Sequence, residues 1–243
     1  NKKTGVRMVV FMHGSNMNGL DYLRTFEAKG WCEHDLLVCP NGEKGKGPFG
    51  ANNFTFYSAK FIAGLVKEVS KAFKVRRTYL GGHSQGGFVT YSAIMLHPEL
   101  FDGAFPMAGD CWMQNEPNLW EEEPEKMAMQ KKIAIAVIHG RRDPVVDFSQ
   151  GEHAHDVFDV MAYPMLKFFA PENLGHQFGL SPVPEALAWL DAMKGVNPKH
   201  AERCAEEWAM KGQWADAVPA ARHVLELKAP SALKSRARAL LPK

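Results

Sequence analysis

Thr78-Tyr79-Leu80-Gly81-Gly82-His83-Ser84-Gln85-Gly86-Gly87-Phe88 is the stretch on which the fold turns. Thr78 to Leu80 has the composition of a strand and Phe88 to Leu96, closed by Pro98, that of a helix, so the glycine-rich segment between them is a strand-to-helix turn. Within it, Gly82-His83-Ser84-Gln85-Gly86 fits GxSxG in the context that pattern requires. A turn this sharp projects the Ser84 hydroxyl outward at the carboxyl end of the strand. Side chains at positions 82 and 86 would collide, hence the glycines. The helix that follows aims its first amides at the same point and favours negative charge developing there. The competing reading is a glycine-rich turn with an idle serine, and the flanking strand and helix weigh against it.

Working outward, Arg7 to Met12 is an apolar, β-branched run ending in His13-Gly14, and Glu33 to Cys39 is a second one ending in Pro40-Asn41-Gly42. Both have the pattern of buried parallel strands, and Leu20 to Ala28 between them can form the crossover helix. Pro40 to Phe56 reads as a surface loop whose Gly-Lys pairs do not match a phosphate-binding loop. From Ser58 to Phe73 the residues Phe61, Ile62, Leu65, Val66, Val69 and Phe73 recur at helical spacing and predict a core-covering helix. Strands at Asp102 to Met107, Ile133 to His139 and Leu166 to Phe169, with helices near His153 to Met161 and Pro184 to Met193, continue the alternation. An insert from Asp110 to Lys132 interrupts it and is long enough only for a flap. After Gly195 the pattern becomes purely helical: Gly212 to Ala217, Leu225-Glu226-Leu227 and Pro230 resemble a single tetratricopeptide-type hairpin. The expected division is a catalytic domain over 1–196 and a helical extension over 197–243, the latter offering a protein contact.

A serine hydroxyl needs a general base, and the base needs an acid to orient it. His176, in the loop Leu174-Gly175-His176-Gln177 beyond the last strand, is the expected base. His13 and His139 each end a strand before a glycine and are expected to be structural, and His83, inside the turn, to point away from the substrate. His153 and His155, with Glu152 and Asp156, can be drawn as a metal cluster, but on a short amphipathic helix they read better as a solvated face. For the acid, His139-Gly140-Arg141-Arg142-Asp143-Pro144 places Asp143 after the strongest strand, while Asp147 suits a helix start. The oxyanion of a tetrahedral intermediate needs two backbone donors, each worth about 3 kcal/mol. They are expected from Gln85 and from Ser15, with Asn16 as the neighbour that could replace Ser15.

Composition bounds the alternatives. With 243 residues, 46% hydrophobic and 23% charged, the chain is an ordinary globular protein with a sizeable core. The longest purely aliphatic run, Ile133 to Ile138, is far short of the roughly 20 residues of a membrane span. The net charge is +2, with the mild basicity concentrated in 197–243, and its unclustered charges do not suggest a nucleic-acid partner. Cys32, Cys39, Cys111 and Cys204 lack zinc-motif spacing, and sequence does not decide whether Cys32 pairs with Cys39. No signal peptide is visible, so the compartment stays open between the cytoplasm and an exported form whose leader was removed.

These residues resemble the α/β-hydrolases grouped with polyhydroxybutyrate depolymerases and feruloyl or acetylxylan esterases, over about Met8 to Met193. The markers are His13-Gly14, Cys39-Pro40-Asn41-Gly42, Phe61-Ile62, the turn around Ser84, His97-Pro98-Glu99-Leu100-Phe101-Asp102, Gly140 to Val146, and Gly175-His176. The order Ser84, Asp143, His176 is nucleophile, acid, base, as in that superfamily. The resemblance implies an α/β-hydrolase fold and a serine carboxylic-ester hydrolase with neither metal nor organic cofactor. Three departures stand out: Gln85 where many relatives have Asn, Phe178 near a usual Trp, and a start at what would be the third strand. The last predicts lost upstream residues and Glu33 to Cys39 as a sheet edge.

The expected activity is hydrolysis of small or aryl esters of feruloyl, acetyl or hydroxyalkanoate type through an acyl-enzyme, with Trp112 and Phe178 in the pocket and Phe49, Phe54 and Trp120 as further candidates. An inactive hydrolase fold serving as a scaffold, or the same triad working as a peptidase, thioesterase or acyltransferase, are the alternatives.

Overall fold

The computed structural model describes residues 5–43, 53–55, 57–111, 124–161 and 163–194. The expected helical hairpin over 197–243, and Phe49, Trp112 and Trp120, lie outside the described residues. Six parallel strands form one sheet: β1 Val6–Met12, β2 Leu36–Val38, β3 Val75–His83, β4 Gly103–Met107, β5 Ala134–Ile138 and β6 Leu166–Phe169. Their spatial order is β2-β1-β3-β4-β5-β6. Helices α1 Gly19–Ala28, α2 Ser58–Ala72, α3 Gln85–Leu96, α4 Pro124–Gln130, α5 Phe148–Val160 and α6 Val183–Lys194 connect and cover it.

The strands are apolar without alternation because both faces of the sheet are covered. Val9 and Phe11 of β1 enter a core with Phe26, Tyr79, Phe105 and Leu190, while Met8, Val10 and Met12 enter the opposite one with Ile62, Leu80 and Ile94. β2 is shorter than expected and forms the sheet edge, as its sequence position predicted. β3 is longer than expected, because Gly81 and Gly82 pair with β1 and β4 before the turn begins. α5 starts ahead of the expected helix, where Asp147 caps it by accepting from Ser149 N.

At the amino ends of the strands Arg7 binds Asp35 and Asp191, and Tyr79 Oη donates to Asp191 at 2.9 Å. Cys32 and Cys39 are free thiols beside the first core, and burial pushes each up to about 12. None of the described helices is long and apolar enough to cross a membrane.

The strand order places the site. From β1 the chain moves outward to β2 and then returns to the other side of β1 as β3, so the connections leaving β1 and β3 diverge. A crevice opens outside the carboxyl ends of strands at such a switch point. His13-Gly14-Ser15 leaves β1 and Ser84 leaves β3 at that spot.

Candidate active site

Ser84 occupies the step between β3 and α3 with φ 55° and ψ −119°, a conformation rare for a residue with a side chain. The surroundings hold it there. Ser84 N donates to Met107 O at 2.9 Å, tying the turn to β4. A Cβ at residue 82 would lie 2.2 Å from Gly86 O, and one at 86 would lie 2.4 Å from Met12 O, which is the steric reason for both glycines. Gln85 Oε1 accepts from Phe54 N at 2.9 Å, so the glutamine side chain holds the 53–55 segment. Its backbone amide is among those a helix leaves unpaired at its start.

Asp143 and His176, 33 positions apart, meet: His176 Nδ1 donates to Asp143 Oδ2 at 2.7 Å. The Asp143 side chain is fully buried, and its Oδ1 accepts from Val145 N at 2.8 Å and Val146 N at 2.9 Å. Burial pushes its carboxyl up, but hydrogen bonds from His176, Val146 and Val145 outweigh this and hold it below the usual carboxylate range. Asp147 serves as the helix cap and lies outside this constellation. His176, with its side chain 20% exposed, faces the same cavity as Ser84. That cavity measures about 520 Å³, and Ser15, Met17, Tyr22, Val145 and Phe178 help to line it.

His13 and His139 are structural. His13 Nδ1 donates to Gly14 O and its Nε2 accepts from Gly42 N at 3.0 Å, joining the loops that leave β1 and β2. His139 Nε2 donates to Val146 O at 2.9 Å. His83 departs from expectation: it does not point away but lines the cavity, its ring centroid 4.5 Å from that of His176. The extended backbone of β3 sends alternate side chains to opposite faces, and residue 83 falls on the face that carries α1. There Tyr22 Oη accepts from Gly14 N at 3.2 Å and donates to His83 Nδ1 at 2.6 Å. Burial, then the neighbouring His176, lowers His83 to about 4, so it is a neutral ring at physiological pH. Neither Tyr22 nor His83 was legible as a site residue, because no motif marks a contact between residues 61 positions apart.

Ser15 lies at the cavity mouth, and the structure separates it from Asn16. Asn16, at φ 61°, donates its amide to Asn53 Oδ1 at 2.9 Å, so that donor is already engaged. Phe178 lines the cavity and is 7% exposed, packed on Phe11 and Tyr22 with both ring centroids at 4.8 Å. Phe54 is 2% exposed and packs against His13, with ring centroids 4.6 Å apart and tilted by 47°.

A sequence model of the phospholipase/carboxylesterase family matches residues 51–178, more than half of the chain. The chain belongs to that family. Among curated members and relatives it is similar to acyl-protein thioesterase 1 of Candida albicans, 22% identical over 123 residues that make up 50% of this chain and 52% of that protein. It is also similar to carboxylesterase SOBER1 of Arabidopsis thaliana, 26% identical over 124 residues, 51% of this chain and 52% of that protein. The chain thus spans about half the length of the curated relatives it matches. In three dimensions it superposes on Zea mays acyl-protein thioesterase 2 with a TM-score of 0.62 at 18% identity, covering 80% of this chain and 96% of that one. On Arabidopsis thaliana SOBER1 the TM-score is 0.59 at 17% identity, covering 77% and 99%. At these identities the superpositions establish the shared α/β-hydrolase fold.

Proposed function

We propose that the chain is a serine hydrolase of carboxylic esters and thioesters, with Ser84 as nucleophile, His176 as base and Asp143 as orienting acid. The observation that carries this reading is the His176–Asp143 pair at 2.7 Å facing the strained Ser84 turn across one cavity. Asp143 keeps the proton of His176 on Nδ1, which leaves Nε2 bare. Nε2 takes the Ser84 hydroxyl proton as Oγ bonds to the substrate carbonyl carbon. The carbonyl oxygen becomes an oxyanion between the amides of Ser15 and Gln85, at the positive end of α3. The carbon–oxygen or carbon–sulfur bond to the leaving group then breaks, His176 supplies the proton to that group, and an acyl-Ser84 ester remains. Water, deprotonated by His176, repeats the sequence and releases the acid.

The cavity lining of Tyr22, Val145, Met17 and Phe178 suits an aryl or short acyl group of feruloyl, acetyl or hydroxyalkanoate type. The names of the relatives above add thioesters to the substrate panel. The test is hydrolysis of p-nitrophenyl, hydroxycinnamate and acyl-thioester substrates by the protein and by Ser84→Ala, with intact mass reporting a fluorophosphonate adduct. Turnover and labelling that both vanish in Ser84→Ala are the expected result. A folded protein that neither turns over nor labels would refute it in favour of a binding role.

A further inference from the structure

Asp110, Cys111 and His153 form a cluster that the hydrolytic machinery leaves unused. Beyond β4, Ala108 at φ 51° and Gly109, packed against the Phe88 backbone, bend the chain so that Asp110 and Cys111 are buried. His153, on α5 and 43 positions away from Asp110, meets them: its Nδ1 lies 2.9 and 3.0 Å from the two Asp110 oxygens. Among the described residues, one ligand atom from each of these three lies within 4.8 Å of the other two. The His153 side chain is 48% exposed, which gives an ion a route from solvent. Because the histidine comes from a distant helix, cysteine spacing could not reveal the cluster.

A separate observation points to an occupant. Tyr91 of α3 is 1% exposed, and its hydroxyl has no hydrogen-bond partner among the described residues. Tyr91 and Cys111 belong to one buried core cluster, on the same face of the sheet. Buried hydroxyls are seldom left unpaired, since the loss costs about 1–3 kcal/mol. An orphan in the core that also holds Cys111 marks a place for one more polar species.

We propose that Asp110, Cys111 and His153 bind a divalent transition-metal ion of the zinc or cobalt type, with a water in the fourth position within reach of the Tyr91 hydroxyl. A mixed oxygen, sulfur and nitrogen donor set suits a borderline ion with tetrahedral preference, whereas magnesium and calcium call for oxygen ligands. Bonds of about 2.0–2.3 Å place tetrahedral ligand atoms about 3.3–3.8 Å apart. The three atoms, within 4.8 Å of one another, must close to that spacing on binding, by rotation of Cys111 and the half-exposed His153. On binding, the Cys111 S–H bond breaks and a sulfur–metal bond forms, the proton passing to the buffer. His153 moves its ring proton to Nε2 and offers Nδ1 to the ion. The ion clamps the loop after β4 to α5 and takes no part in hydrolysis.

The test is a Co²⁺ titration of the full chain after chelator treatment, followed by absorbance. One equivalent binds, giving thiolate-to-cobalt charge-transfer absorption and the strong ligand-field bands of a tetrahedral site. Cys111→Ser abolishes the charge-transfer absorption, and Ser84→Ala leaves the titration unchanged. Tyr91→Phe, which removes the partner of the bound water, weakens binding by about tenfold. Because position 111 is buried, the partly exposed His153→Ala provides a second variant whose fold is not at stake, and it weakens binding more than Tyr91→Phe does. The absence of charge-transfer absorption, its persistence in Cys111→Ser, or an unchanged titration in His153→Ala would each overturn the proposal.

Discussion

Replacing Asp143 by asparagine changes one atom and reverses the direction of a hydrogen bond. Asp143 Oδ1 accepts from two backbone amides, Val145 at 2.8 Å and Val146 at 2.9 Å, while Oδ2 accepts from His176 Nδ1 at 2.7 Å. In Asp143→Asn the amide NH₂ cannot face the two N–H donors, so the remaining oxygen stays with them and Nδ2 faces His176. Nδ2–H then donates to Nδ1, and the imidazole proton moves to Nε2, the atom that must be bare to accept the Ser84 proton. In a serine hydrolase this tautomer error lowers kcat by about 10⁴, equivalent to about 5.4 kcal/mol at 1.36 kcal/mol per decade. Both Val145 and Val146 contacts persist, so the melting temperature changes by only a few degrees. The assay is kcat/KM on p-nitrophenyl acetate at pH 8, alongside the rate of fluorophosphonate labelling and a thermal melt. Asp147→Asn, at the exposed helix cap, is the control and stays within twofold of the wild type. A folded Asp143→Asn retaining more than a tenth of wild-type kcat/KM would refute the assignment of Asp143.

Other consequences follow from the same geometry. Asp143 has a folded pKa below the ordinary value, so its contribution to stability is full above about pH 3.9 and is lost as pH falls through the lower folded value; urea titrations should show Asp143→Asn losing less stability than wild type below pH 4. For His83 the unfolded ring protonates near pH 6.5 and the folded one only at about 4, so stability declines as pH falls across that window, by up to about 1.4 kcal/mol per pH unit for this one proton. His83→Gln should flatten the curve by that amount, and an unchanged slope between pH 6.5 and 4 would contradict it. Gly86→Ala drives a Cβ to 2.4 Å from Met12 O and should destabilise the chain by about 1–3 kcal/mol or more. Gly64→Ala, in the exposed middle of α2 with nothing within 4 Å, should stabilise it by about 0.5–1 kcal/mol. Paired urea midpoints check the two, and opposite signs are the expected result.

Much of the molecule was readable from local rules. The unbroken apolar runs at Met8–Met12 and Ile133–Ile138 required strands covered on both faces, and the amphipathic period of 58–73 required a covering helix. Ser84 was marked by steric demands that lie within five consecutive residues, which is why the turn stood out. Asp143 and His176 were placed by the rule that loops at the carboxyl ends of strands converge. The boundary of β3 was missed for a tertiary reason: Gly81 and Gly82 disfavour a strand when alone, but pairing with Phe11, Met12, Phe105 and Pro106 extends β3 through them.

By itself, the sequence determined the parallel sheet, the strand-to-helix turn around Ser84 and the placing of Asp143 and His176 in loops that follow strands, because steric and periodic rules act over a few neighbouring residues. Only the tertiary structure decided that His83 lies against His176, that Tyr22 bonds both the β1 loop and His83, that Asn53 engages Asn16 and leaves Ser15, and that His153 reaches Asp110. Those outcomes depend on which side of the sheet each crossover takes and how closely helices seat on it. Chain segments far apart in sequence set that packing together.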